Sequence, residues 1–297
     1  MQNKTDEIAG KFLGKKVSGC DEYNPDLLVA VPRAENRERY GIKISKLPFV
    51  GWDVWHAYEF SAMTKNGLPV TKVLKLRYRP DNDFLVESKS LKLYLNSFNM
   101  SRFGKSTDEC LQICKELIEK DLSCKLQTEV DVEFLNLNKV EIFSDFVNIM
   151  NFVEESSLTI DNFKESPDLL EVEESSLTRE YFLKFESLRS NCRVTHQPDF
   201  GDAFIYYKSD KHIKEDSLVK YLCSFRSEYH FHEECCEMIF KRLYDLLDKN
   251  SELFVCALYT RRGGIDICPV RWSKNCSINP ADSLIDLCKF ARCGIKQ

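Results

Sequence analysis

The feature that most restricts what this chain can fold into is an echo between its halves. Tyr94-Leu95-Asn96-Ser97-Phe98 returns as Tyr221-Leu222-Cys223-Ser224-Phe225. Five letters could coincide by chance, but their surroundings agree. Leu91, Tyr94, Leu95 and Phe98, and then Leu218, Tyr221, Leu222 and Phe225, all follow the i, i+3, i+4, i+7 stripe of an amphipathic helix. A second helix is expected after each. The first, over 106–121, opens with a Ser-x-x-Glu capping box (Ser106, Glu109) and carries Leu111, Cys114 and Leu117 on one face. Its counterpart is expected from His232 to Leu247.

Strand-like runs surround both helix pairs: 52–60, 70–78, 125–135 and 139–143 in the first half, and 192–197, 203–207, 253–260 and 265–270 in the second. Each half therefore reads strand, strand, helix, helix, strand, strand, and duplication is the economical explanation. The predicted class is α+β, with a module over 1–147 and another over 181–297. Between them, 148–180 is acidic and Ser-rich and contains VEESSLT twice, at 153–159 and 172–178. This stretch is expected to be a solvated, partly folded connection.

A length of 297 residues agrees with two domains, and 42 Lys+Arg against 47 Asp+Glu leave a net charge of -5. No global basic field draws such a chain to nucleic acid or an anionic membrane, so a small or neutral ligand is expected. No run approaches the about 18 apolar residues of a membrane helix, and MQNKTDEIAGKFLGKK has no apolar core of a signal peptide, so the expected location is cytoplasmic. The 13 cysteines are scattered, with no CxxC pair, and are read as mostly reduced thiols.

Three segments carry candidate chemistry. In SNCRVTHQPDFGD, a strand reading puts Cys192, Val194 and His196 on one face, with Pro198 ending the strand and turning Asp199 back toward the thiol. Cys192 is then either a nucleophile whose proton needs an acceptor or a structural thiol. EYHFHEECC (228–236) invites a metal reading but has no HExxH and no CxxC; the alternative is a His232-Glu233 pair whose carboxylate accepts two hydrogen bonds from an amidine-like edge. In ESKSLKLYL (87–95), helix-start amides, the hydroxyl of Ser88 and the ammonium of Lys89 suit a phosphate, against the plainer reading of a capped surface helix. The turn RRGG (261–264) adds guanidinium groups beside flexible backbone. GxGxxG after a strand is absent, and GKFLGKK (10–16) lacks the spacing of a phosphate loop, so any dinucleotide is bound another way.

Taken together, these residues resemble the NADPH-dependent nitrile reductases of queuosine biosynthesis, the 7-cyano-7-deazaguanine reductases, in their long two-module form. The likeness runs from LPFVGWDVWHAYEFS (47–61) to RRGGIDICPVRW (261–272) and is weakest over 144–185. ESKSLKLYLNSF is the family's signature, and SNCRVTHQPD and FHE (231–233) match its catalytic segments. The resemblance implies two tandem tunnelling-fold modules, each an antiparallel sheet with a pair of helices, in subunits that associate as a homodimer. The first keeps ESKSLKLY and the second keeps Cys192, Asp199 and His232-Glu233, so neither is expected to work alone.

It further implies Cys192 as nucleophile, Asp199 as proton donor and His232 as a lid and proton-transfer residue. Val86, Glu87, Ser88, His232 and Glu233 would hold the substrate, 7-cyano-7-deazaguanine. Ser88, Lys89, Arg262 and Gly263 would contact NADPH, two per turnover, with no metal and no direct nucleic-acid partner. A separate expectation, independent of the resemblance, is that Cys235, two residues beyond Glu233 at the same helix entrance, lies within disulfide reach of Cys192 and pairs with it under oxidation, with Cys236 pointing elsewhere. Two rivals differ in class: an amidine-forming transferase of the same fold, which needs no ESKSLKLY, and a non-catalytic module that binds a purine-like base through Glu233.

Overall fold

In the computed structural model of the chain, residues 7, 8, 10, 22–135 and 139–292 are described. The segment 1–16, apart from residues 7, 8 and 10, therefore lies outside the described residues. Twelve strands are named in chain order: β1 (Ala30–Pro32), β2 (Phe49–Met63), β3 (Pro69–Tyr78), β4 (Phe84–Val86), β5 (Val130–Leu135), β6 (Lys139–Glu141), β7 (Val147–Asn148), β8 (Val172–Asn191), β9 (Pro198–Ile213), β10 (Glu252–Tyr259), β11 (Ile265–Ser273) and β12 (Phe290–Arg292). The α-helices are α1 (Ala34–Arg39), α2 (Ser88–Asn96), α3 (Thr107–Leu126), α4 (Glu215–Cys223), α5 (His232–Leu246) and α6 (Asp282–Ile285). The expected strand, strand, helix, helix, strand, strand order is present in the second half as β8, β9, α4, α5, β10, β11; in the first half β4 intervenes between β3 and α2, and after α2, α3 and β5 the sixth strand, β6, pairs with β12 outside the large sheet.

The mixed α+β class holds, but the strands of the two halves fuse into one sheet. Its order is β5-β3-β2-β11-β10-β9-β8-β7, antiparallel except for β7 against β8. The joint is β2 against β11, paired from Phe49–Ser273 to Ala57–Ile265. Cross-strand partners share a side of the sheet, which separates two layers. On one side Trp55, Ala57, Leu74 and Leu76 pack under α2 and α3, and Ala203, Ile205, Val255 and Ala257 pack under α4 and α5. On the other side Val54, Phe204, Phe254, Cys256 and Val270 are covered by Phe143, Phe146, Leu284 and Ile285.

The helices form for the reasons their spacing gives. Ser106 caps α3 by accepting from the N–H of Glu109 at 3.2 Å, and Gln127 ends the helix in the left-handed region at φ 55°. That helix consumes Lys125 and Leu126, so the strand expected from 125 begins only at Val130.

Two other expectations change. The segment 192–197 is not a strand but the connection of the β8–β9 hairpin: the N–H of Cys192 donates to the carbonyl of Gln197 at 2.8 Å and that of His196 to the carbonyl of Cys192 at 2.9 Å. His196 takes φ 58°, which breaks the extended path, and Pro198 starts β9 instead of ending a strand. The second VEESSLT lies inside β8, where Val172 pairs with Ile213, so β8 begins within the expected 148–180 connection.

A buried set of charges ties the layers at the β2–β11 joint. Arg33 and Arg271 hold the two oxygens of Asp53 at 2.5 and 2.7 Å. Arg271 also reaches Glu237 of α5 at 2.9 Å, and Arg37 of α1 grips the same carboxylate through two donors at 2.7 and 2.9 Å. None of the five side chains is more than 3% exposed. Burial would raise the Glu237 carboxyl, but Arg37, Arg271 and Arg33 outweigh it and hold it down to about 2.

Removing one partner of such a set leaves buried charge uncompensated, so Glu237→Gln is expected to cost about 3–5 kcal/mol, read as a lower urea midpoint. Because the folded-state value is depressed, the stabilisation is present above the ordinary carboxylate range and lost as pH falls toward about 2. The wild-type midpoint should drop over that window, and the Gln variant's should drop less. The joint itself admits no side chain at Gly51, where a Cβ would sit 2.1 Å from the carbonyl oxygen of Val270. Gly51→Ala should therefore destabilise by about 1–3 kcal/mol or more, with the loss measured in the same unfolding experiment.

Candidate active site

A cavity of about 400 Å³ opens on the helix side of the sheet over the β2–β11 joint. Four chain segments meet there: the β4–α2 corner, the β8–β9 hairpin, the first turn of α5 and the β10–β11 turn. Trp55, Ile265 and Ile267 form the sheet surface below it. Val86, Glu87, Ser88, Lys89, Cys192, Asp199, His232, Glu233, Arg262 and Gly263, the residues singled out in the sequence, all line this one cavity.

The hairpin supplies the thiol and an acid. Asn191 pairs with Pro198, and the short loop between them brings Cys192 near the end of β9, where Asp199 is 6% exposed. The backbone N–H of Thr195 points at the sulfur of Cys192 at 3.5 Å. Arg262 Nη1 lies 2.6 Å from one oxygen of Asp199, and His232 Nε2 lies 3.5 Å from the other. Burial alone would raise this carboxyl; His232 and Arg262 outweigh it and hold it below its ordinary value. Arg262 is the nearer of the two and carries its charge at every working pH, whereas an imidazole contributes only once protonated.

The first turn of α5 supplies a second acid with a different environment. Glu233 is 2% exposed, and its Oε1 has no hydrogen-bond partner among the described residues. Burial, reinforced by the negative charge of Asp53, lifts this carboxyl well above the usual range. An unpaired buried oxygen lining a cavity is a place for a ligand donor. Its neighbours are otherwise engaged: Glu234 accepts from the N–H of Phe231 at 3.0 Å and from Arg193 at 3.0 Å, and His230 lies 3.2 Å from Glu228. The helix-entrance cluster of 228–236 is thus a set of ion pairs and caps around one unpaired carboxyl.

At α2 the structure corrects the phosphate reading in one respect. Glu87 is the N-cap, and its two oxygens accept from the N–H groups of Lys89 at 2.8 Å and Ser90 at 2.6 Å. Those amides are already satisfied, so an anion here meets the lysine side chains instead of the helix-start backbone. Lys92, which the sequence reading passed over, joins Lys89 in lining both this cavity and an adjoining groove of about 330 Å³. The i, i+3 spacing of the two lysines was the available signal. Gly263, at φ 56°, sits where a Cβ would be 3.1 Å from Lys92 Nζ. Gly263 and Gly264 both have positive φ, as a tight two-residue turn requires, and together they bring Arg262 over Asp199.

Cys192 and Cys235 are both free thiols, and burial pushes the Cys235 thiol up to about 12. Cys236 does face away, with its sulfur 3.6 Å from the carbonyl of Pro269. On the opposite side of the sheet His56, Asp266 and Cys268 form a separate buried group, in which His56 Nδ1 lies 2.8 Å from Asp266.

Comparison with known proteins agrees with this arrangement. Residues 20–134 match the model described as nitrile reductase, 7-cyano-7-deazaguanine-reductase N-term, and residues 198–277 match that described as QueF-like protein. A protein of Colwellia psychrerythraea named NADPH-dependent 7-cyano-7-deazaguanine reductase is 40% identical over 278 residues, covering 92% of this chain and 94% of that protein. With likeness over nearly the whole length, the chain belongs to the 7-cyano-7-deazaguanine reductase family.

Proposed function

We propose that this chain reduces the nitrile of 7-cyano-7-deazaguanine to the aminomethyl group of 7-aminomethyl-7-deazaguanine, using two NADPH per turnover, as a step of tRNA queuosine biosynthesis. One observation carries the reading beyond family membership: a thiol, an acid pinned by cations and a second, unpaired acid converge in one cavity beside a basic groove. Glu233 accepts the two N–H donors of the amidine-like edge of the base, a geometry a carboxylate is suited to. Val86, Glu87, Ser88 and His232 complete the substrate's surroundings.

A nitrile carbon resists hydride until a thiolate adds to it. Cys192 passes its proton to Asp199 and attacks that carbon; Asp199 then returns the proton to nitrogen, leaving a thioimide. The groove fits NADPH, because Lys89 and Lys92 line it and Arg262 stands at the adjoining cavity, three cations for its phosphates, while Gly263 lets the Lys92 side chain pack against the turn. Ser88 lies at the same edge. Each of two NADPH molecules, held by Lys89, Lys92 and Arg262, would supply one hydride; with two protons taken from solvent through Asp199 and His232 these would carry the thioimide to the amine and release the Cys192 thiol. His232 moves protons at Asp199 and, at the cavity wall, helps keep water from the reacting carbon.

In this reading the two halves are tandem tunnelling-fold modules, over 1–147 and, with β8 reaching back across the expected 181 boundary, through to 297. The homodimer covers the open edges of the sheet at β5 and along β8, only two residues of which pair with β7. The chain works in the cytoplasm on a small molecule, with no direct contact to nucleic acid.

Loss of NADPH absorbance that depends on the nitrile tests the reaction, together with a mass increase on Cys192 when NADPH is withheld. Cys192→Ala is expected to abolish both signals, and an adduct that survives this change would reject the nucleophile. Lys89→Ala should raise the apparent KM for NADPH about tenfold, the ~1.4 kcal/mol of one charge-assisted contact, while adduct formation stays within twofold of wild type. Equal damage to both steps would contradict the separation of cofactor and substrate contacts.

A further inference from the structure

The mechanism asks Asp199 to do two opposed things: to take up and pass on the Cys192 proton as the thioimide forms, and then to hold a further proton, drawn from solvent, for the nitrogen when the hydride arrives. The groups facing it are Arg262 from the β10–β11 turn, His232 and Cys235 from α5, Lys92 from α2 and Tyr259 from β10. A carboxylate ion-paired at 2.6 Å with a guanidinium rests as the anion, open to a proton although a weaker base than a free carboxylate. It is a poor holder of one, since protonation breaks the charge-assisted bond.

The two cations nearest the acid differ in freedom. His232 is in the first turn of α5 with its ring centroid 4.0 Å from that of Tyr259. The side chain of Arg262 is 39% exposed, on a turn of two glycines with positive φ. Its second terminal nitrogen is shared between Gln197 and, at 3.5 Å, Thr195. It stands at the boundary between the acid and the groove lined by Lys89 and Lys92.

We propose that Arg262 is a positioning residue that exchanges Asp199 for a phosphate of the bound dinucleotide, so that arrival of the cofactor converts Asp199 from proton acceptor to proton donor. The exchange makes and breaks no covalent bond: the guanidinium keeps its proton and trades one anion for another. It rests on the reading that Asp199 handles the Cys192 proton and that the basic groove holds NADPH. Adduct formation would then be fastest before the cofactor binds, and proton delivery would become available when the hydride does.

The test follows adduct formation by intact mass after rapid quenching, at saturating nitrile and without NADPH, from pH 3 to pH 8. Saturation removes groups that act only in substrate binding, Glu233 among them. The adduct needs Asp199 as the anion, so its rate falls as pH drops through the value of that carboxyl. Removing an opposite charge raises that value, by one unit or more for a pair this close. In Arg262→Gln the acid limb is expected to move up by about one pH unit, a roughly tenfold lower rate at the acid end, with rates at pH 8 within twofold of wild type.

Arg262→Lys, which keeps a cation, should leave the limb near its wild-type place. Added NADP⁺, which carries the phosphates but no hydride, should shift the wild-type limb upward as the Gln variant does, and should shift the Gln variant no further. A Gln-variant limb that coincides with wild type would overturn the proposal, as would an NADP⁺ shift that persists in the variant or is absent from wild type. Failure of wild type to form any adduct at any pH would instead overturn the underlying reading of Cys192 and Asp199, and this inference with it.

Discussion

Five buried charges beside the cavity floor, on the helix side of the sheet, decide how the layers of this protein meet. Asp53 of β2 and Arg271 of β11 face each other across the joint between the halves, and Glu237 of α5 and Arg37 of α1 lock a helix and the N-terminal segment onto the same point. Desolvating so many ions is costly, and replacing them by apolar residues could leave the fold equally stable. What the ionic set provides is direction: each guanidinium accepts only a narrow set of carboxylate positions. Glu233, one turn before Glu237 on α5, inherits its placement from that arrangement.

The two carboxyls of the site illustrate how environment divides labour between like groups. Both are almost fully buried, yet Glu233 is lifted by burial beside Asp53 while Asp199 is held down by His232 and Arg262. The first keeps an oxygen without a hydrogen-bond partner among the described residues, and the second has both oxygens beside basic side chains. The basic side chains that make the difference come from α5 and the β10–β11 turn, neither adjacent in sequence to Asp199.

Much of this was legible in the sequence, and the failures are physically informative. The helix stripes of Leu91 to Phe98 and Leu218 to Phe225 were readable because period and burial coincide in them. The cavity residues were readable through resemblance, since the signature segments carry them. The hairpin loop at 192–197 was missed because Val194 and Thr195 favour extended backbone, and only the closure from Cys192 to Gln197 overrides that preference.

The two copies of VEESSLT make the same point more sharply: 153–159 holds a 3₁₀ turn over Glu155–Ser157, while 172–178 runs within a strand that pairs with β9. Identical residues differ because only the second has a partner strand. Arg33, Arg37 and Arg271 read locally as surface charges, and nothing in their neighbourhoods announces that they are buried.

The joint between β2 and β11 also sets an order of assembly. His56 and Asp266, which face each other across it, are separated by 210 residues, so this pairing is among the least local in the molecule and carries a large loop-closure cost. Trp55 on one side and Ile267 on the other become a common cavity floor only when it closes. During synthesis the first half can form its helix pair while the thiol and its acid are still unmade. The cavity therefore comes into being late, as the last strands find the first, and the lysine-lined groove beside it, which needs Gly263, Gly264 and Ile265 of the β10–β11 turn, closes in the same event.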